Sequence, residues 1–169
     1  MAKDKDSKKL NSMRFLEKHN IPYEVLDYEP DTRDAEEVAE RIGLPEFMVY
    51  KTLVVQSIAT LKPVLVMIAS DRQLDLKRMA AAAGEKKVQM ASHADAERMT
   101  GLKVGGISAL MLTDKNWPVF LDQPATQLQN ICISAGQKGL QIRLPVMMLM
   151  QVLRARLAEV SREKEGEDE

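Results

Sequence analysis

One cysteine, Cys132, and two histidines, His19 and His93, are all that 169 residues hold of the usual nucleophiles and soft metal ligands. A lone thiol excludes an internal disulfide framework and a cysteine-based zinc site, and it suits a reducing cytoplasm. Two imidazoles so far apart in sequence do not make a metal cluster, so neither a metal nor another cofactor is expected. No apolar run approaches the ~18 residues of a membrane span. The first ten residues alternate lysine with aspartate and contain no apolar segment, so a secretory signal is not expected either. Gly-x-Ser-x-Gly, a Walker lysine loop, a dinucleotide glycine triplet and His-Glu-x-x-His are all absent.

Charge is also scarce where it would matter for a broad nucleic-acid surface. Residues 1–9 carry a net +2 and residues 161–169 a net −3, against −1 for the chain, so residues 10–160 are neutral. A neutral core cannot release many counterions along a nucleic acid, so any such contact is expected to be small and local. The two ends, rich in charge and poor in apolar residues, read as disordered over 1–6 and 161–169. Residues 7–160 read as one domain, with no internal repeat.

What is present is a mixed α/β pattern. A first amphipathic helix over 7–20, with Ser7 as a candidate cap, is followed by a strand over 23–28. A helix over 35–42 ends on Gly43, where a left-handed residue belongs. Strands are expected over 49–55 and 63–69, then an Asp75-capped helix over 76–83 stopped by Gly84, a short strand near 86–90, and a helix opened by Ser92 and closed at Gly101. Strands over 119–122 and 130–134 follow, the second in a hairpin with 140–144. A last helix starts at Pro145, with Val146, Leu149, Met150, Leu153 and Leu157 as its buried face. Cys132 falls inside an apolar strand, where a core thiol is expected.

Lys51 interrupts the apolar run Val49-Tyr50-Lys51-Thr52-Leu53-Val54-Val55. An ammonium group buried without a partner is costly, so it either snorkels to water or faces an anionic or carbonyl ligand in a cleft. Val104-Gly105-Gly106-Ile107-Ser108 has neither helical nor strand period, and its paired glycines suit a plain turn or a close backbone approach to another molecule. Ser134 either satisfies the turn that follows its strand or offers a hydroxyl to a site. Together these residues describe a site of backbone donors, one hydroxyl and one cation, able to polarise an ester without a nucleophile of its own.

Tyr50-Lys51-Thr52-Leu53, Gln73-Leu74-Asp75-Leu76-Lys77, Lys86-Lys87-Val88, Thr100-Gly101 with Val104-Gly105-Gly106-Ile107-Ser108, and Ser134-Ala135-Gly136 with Lys138-Gly139-Leu140 occur in that order. This set resembles the YbaK/EbsC family of free-standing aminoacyl-tRNA deacylases, related to the editing insertion of prolyl-tRNA synthetase. The resemblance implies a mixed, partly barrel-like sheet flanked by helices, with the tRNA acceptor end entering beside the lysine strand. It implies trans-editing, most of all release of cysteine from Cys-tRNA(Pro), with prolyl-tRNA synthetase as a partner. A deacylase for Ala-tRNA or another small amino acid, and a non-catalytic tRNA-end or synthetase-binding module, are the alternatives. By the same resemblance Lys51, Gly105 and Ser134 are catalytic, and Tyr28, Thr52, Gly106, Ile107 and Ser108 bind substrate. The chain departs from the family pattern at Ala109, where proline is usual, at Gln141, often aspartate, and after Tyr28, where an expected aromatic is missing.

Overall fold

The structure is a computed structural model and describes residues 9–31 and 34–165. Ser7, the candidate helix cap, lies outside the described residues. Helix α1 (Asn11–Lys18) leads to strand β1 (Glu24–Asp27) and helix α2 (Ala35–Ile42). Asp34 caps α2 by accepting from the Glu36 amide, and Gly43 ends it with φ of 74°. The long hairpin follows, β2 (Tyr50–Ser57) and β3 (Pro63–Ala69), and then the short strand β4 (Arg72–Leu74). Helix α3 (Leu76–Ala83) is capped by the Asp75 carboxylate, which accepts from the Lys77 and Arg78 amides. Strand β5 (Val88–Met90) and helix α4 (His93–Thr100) come next, α4 being capped by the Ser92 hydroxyl oxygen. Strands β6 (Val119–Asp122), β7 (Asn130–Ser134) and β8 (Leu140–Pro145), helix α5 (Val146–Leu153), and strands β9 (Arg156–Ala158) and β10 (Ser161–Glu163) follow among the described residues.

Three sheets result. The largest has the order β5-β2-β3-β6-β9, antiparallel through β3 and parallel beyond it; β1-β8-β7 is antiparallel, and β4 pairs with β10. Successive β3 residues serve two cores. Leu65, Met67 and Ala69 face the larger apolar cluster with α1 and β7, while Val66 and Ile68 face a second one with Met79 and Val160. Burial on both faces explains the near-continuous apolar runs of this sheet.

Two expectations are corrected here. The sheet is not partly barrel-like: β5 and β9 are its edges, and among the described residues its backbone pairs with the three-stranded sheet only at the parallel bridge Val49–Cys132. Glu46–Met48 coil into a 3-10 turn just before that bridge, so β2 cannot extend alongside β7 far enough to close a barrel. The folded chain also continues past residue 160, because Ser161–Glu163 form β10 on the edge of β4. Helix α5 ends earlier than its apolar spacing suggests. Arg154 takes a left-handed conformation at its C-terminus, and Leu157 belongs to β9.

Asp122 fastens β10. Its buried carboxyl accepts from the Val160 amide at 3.0 Å and, through the other oxygen, from the Ser161 hydroxyl. Each buried donor left without an acceptor costs about 1–3 kcal/mol. Asp122→Ala is therefore expected to lower the unfolding free energy by roughly 3 kcal/mol in urea titrations. An unchanged midpoint would mean that the β4 ladder alone holds the strand.

Candidate active site

The site sits in a split in the sheet. On the side away from β3, strand β2 pairs with β5 only over Val55–Ser57, and before Tyr50 it meets β7 only at the Val49 bridge. Between these two contacts the edge of residues 50–53 has no strand partner among the described residues. A pocket of about 310 Å³ fills the gap. Its walls come from the first turn of α2, the start of α4, the loop 104–107 and the facing ends of β7 and β8. The volume is at the small end of ligand pockets, suited to a compact group.

Five residues singled out in the sequence meet there: Lys51, Thr52, Gly105, Ile107 and Ser134. Burial pushes the Lys51 ammonium below the usual lysine range, and nearby Lys164 adds to the effect, against the opposing pull of Glu36, Asp34 and Asp71. No carboxylate of the described residues forms an ion pair with it. Ser134 is buried, and its oxygen accepts from the Gly136 amide at 3.1 Å, which fixes the hydroxyl and leaves its proton for another acceptor. Gly136 can serve this way only without a side chain, since its φ is 118° and a Cβ would lie 2.6 Å from Met111 Cγ.

The loop is held from both sides. Glu97 of α4 accepts from the Val104 amide at 2.8 Å, and the Gly106 amide donates to the Lys103 carbonyl at 2.7 Å. Gly105 lies between them with φ of 96°. A Cβ at Gly106 would approach the backbone of Gln137 and Lys138 to 2.9 Å, so this glycine packs against the β7–β8 turn and is not part of the pocket lining. Ser108 is likewise outside the lining. It is fully buried, and its hydroxyl oxygen accepts from the Leu110 amide to open a 3-10 turn. Tyr28 does not reach the lining either; its amide donates to the Gly139 carbonyl and its hydroxyl is buried without a partner.

Gln141, His93 and Asp34 also line the pocket, although the sequence reading placed none of them in the site and noted Gln141 only as a departure from the family pattern. Gln141 stands opposite Ser134 in the β7–β8 ladder, is 5% exposed, and leaves its side-chain oxygen without a partner. The Thr52 hydroxyl is in the same condition, so two lining residues carry buried polar atoms without a partner. His93 and Asp34 stand at the rim, both exposed, at the starts of α4 and α2. Among the described residues no group of three or more His, Cys, Asp or Glu could hold a metal ion, and no helix is long and apolar enough to cross a membrane.

A pocket with a half-buried cation, a fixed hydroxyl and a glycine loop can bind and polarise an ester carbonyl. The sequence profile of the aminoacyl-tRNA editing domain matches residues 29–151, which include every lining residue of this pocket. The chain belongs to the aminoacyl-tRNA editing family. This editing protein is 37% identical over 163 residues to an Enterococcus faecalis protein named "Putative Cys-tRNA(Pro)/Cys-tRNA(Cys) deacylase EbsC", covering 95% of this chain and 98% of that one. Its fold matches the crystal structure of the hypothetical protein APE2540, with a TM-score of 0.83, 23% identity, and coverage of 90% of this chain and all of that one. It also matches a structure described as "a putative trans-editing enzyme for prolyl tRNA synthetase", with a TM-score of 0.76, 21% identity, and coverage of 95% and 100%.

The thiol of the editing protein takes no part in this pocket. Cys132 is fully buried in β7, and burial pushes its thiol up to about 11. Only thiolate is strongly nucleophilic. The folded protein is therefore expected to resist a thiol-titrating disulfide reagent at pH 8 and to react with one equivalent after unfolding in guanidinium.

Proposed function

We propose that this editing protein is a trans-editing deacylase that releases cysteine from mischarged tRNA, with Cys-tRNA(Pro) as its main substrate. The observation that carries the reading is a pocket equipped to hold an ester, with a fixed hydroxyl but no cysteine in its lining and no histidine except His93 at the rim to activate that hydroxyl. The named activity of EbsC supports it. The substrate brings the missing nucleophile. Its thiol sulfur attacks the ester carbonyl carbon, the carbon–oxygen bond to the ribose breaks, and the thiol proton passes to the ribose oxygen; water then opens the thioester formed. Lys51 anchors the terminal adenosine and its phosphate, the Gly105 loop walls the aminoacyl group, and Ser134 donates its hydroxyl proton to the polarised carbonyl oxygen. Thr52 and Ile107 complete the wall. Orientation of this kind accounts for about 7–11 kcal/mol in favourable intramolecular reactions.

A second reading rests on His93 at the rim. If the substrate is alanine or another small amino acid without a thiol, water must attack, and His93 is the histidine in the lining able to serve as base. Purified protein offered Cys-, Ala- and Ser-charged tRNAs separates the two. Cysteine is expected to be released fastest, with His93→Ala changing that rate by less than about threefold, because a general base contributes 10²–10⁴-fold where it is used. Release of alanine with a large His93→Ala effect would favour the water mechanism. No release of any amino acid above buffer would leave a non-catalytic tRNA-end module. Prolyl-tRNA synthetase is the proposed partner on the same reading, tested by co-purification of the two proteins with and without tRNA.

A further inference from the structure

A second, open groove of about 890 Å³ adjoins the pocket and shares Lys51, Leu53 and Met90 with it. Its charge is unlike that of the chain as a whole. Lys51, Arg72, Lys77, Arg162 and Lys164 line it, against the two carboxylates of Asp75 and Glu165. The Asp75 carboxylate is already occupied by the Lys77 and Arg78 amides that it caps, at 3.0 Å each. The groove thus carries a net positive charge on a protein whose total is −1.

The basic wall is built by β10. Arg72 of β4 donates from Nε to the Ser161 hydroxyl at 2.8 Å and from Nη2 to the Ser161 carbonyl at 3.2 Å, fixing the strand beside the groove. Arg162 follows directly, bound among the described residues only to its near neighbour Glu165 in an exposed pair of 3.2 Å. Lys164 then reaches Glu36 of α2 at 2.5 Å and ties the end of β10 to an element that also walls the pocket. The floor is different in character. Leu76 and Met90 expose more than two-fifths of their surface there, an apolar strip between the cations.

From this arrangement we propose that the β4–β10 groove binds the single-stranded 3′ end of tRNA. The phosphates lie on Lys77 and Arg162, the bases on Leu76 and Met90, and the chain leads the terminal adenosine to Lys51. The proposal rests on the tRNA-deacylase reading above and adds its path of entry. Cations along one wall and an apolar floor suit a strand whose bases are unpaired. The groove ends at Lys51, which places its occupant in line with the pocket.

The test uses uncharged tRNA(Pro), labelled and titrated by fluorescence anisotropy across a salt series, so it does not depend on which amino acid is released. Lys77→Glu, on the exposed face of α3, and Arg162→Glu are each expected to weaken binding about tenfold near 0.1 M salt. Each should also flatten the salt dependence by about 0.7 in the logarithmic slope, the value for one phosphate on a single strand. Lys62→Glu, in the turn at the far end of β2, serves as the control and should bind as the unchanged protein does. Trimming the last four nucleotides from the tRNA should weaken binding to the unchanged protein and erase the difference between it and the variants. The proposal is overturned if intact tRNA does not bind measurably, if both charge reversals bind it normally, or if they lose as much affinity for the trimmed tRNA. Normal tRNA binding through the groove with no release of cysteine would sink the deacylase reading and keep the groove.

Discussion

Lys51→Met is expected to reduce cysteine release from Cys-tRNA by at least about a hundredfold, the scale of losing one preorganised electrostatic contact in a water-poor site. The same variant should be no less stable than the parent protein. In the structure the ammonium is half-buried and without an ion-pair partner among the described residues, so the fold spends stability to keep it there. Burial, followed by the like charge of Lys164, sets its direction of titration. The folded-state pKa lies below that of the unfolded chain, about 10.4. The cost of holding the charge is present in full below the folded pKa and is relieved as pH rises through it toward the unfolded value. The parent protein should therefore gain stability relative to Lys51→Met on moving into the alkaline range, while its tRNA affinity falls as the charge is lost. Thermal melts at a series of pH values check the first trend. A variant as active as the parent would remove Lys51 from the mechanism, and one much less stable would mean that the ammonium has a partner worth keeping.

Gly106→Ala should disable the site from outside it. The new methyl group would sit 2.9 Å from the backbone of Gln137 and Lys138, and that turn cannot easily retreat, because Gly139 is already packed against Tyr28 and Pro30. Overpacking against backbone costs about 1–3 kcal/mol. The loop must move, and displacements near 1 Å can cost as much as a hundredfold in rate. We expect a loss of at least tenfold in deacylation together with a lowered melting temperature. Gly101→Ala is the comparison. It strains a left-handed residue with φ of 75° but meets nothing within 4 Å, so it should cost about 1–2 kcal/mol of stability and leave the pocket in place. If both variants lose activity in proportion to stability, the loop position is not what matters.

The contrast between these two glycines shows what a sequence discloses. Gly43, Gly84 and Gly101 were readable because a helix end is a local event, decided by the residue and its few neighbours. The caps at Asp75 and Ser92 were readable for the same reason, and β3, β6 and β7 stood out as short apolar runs. Gly106 is shaped by a turn some thirty residues away, and nothing in its own neighbourhood records that. Three residues carry no period, and of the strands of that length β5 was expected while β4, β9 and β10 were missed. Leu157 stands four residues after Leu153 and so mimics a further helical turn, until Arg154 breaks it. Net charge misled in another way. Residues 161–169 are acidic in sum, yet Arg162 and Lys164 lie in the groove, so their position mattered more than the total. At the site, the reasoning from costs found Lys51, and the family pattern added Thr52, Ile107 and others. Gln141 was noticed only as a departure from that pattern, whereas its buried, unpartnered oxygen makes it part of the wall.

The clasp between Arg72 and Ser161 joins positions 89 residues apart, and the Ser12 hydroxyl donates to the Ala135 carbonyl across 123. Contacts of such reach must wait for the loops between them to close. On a ribosome the consequence is one of timing. The lysine strand emerges early, the loop and β7 later, and the basic wall only when residues 161–164 are free. In a nascent chain the residues that line the pocket are therefore all made before Arg162 and Lys164 of the basic wall that adjoins it.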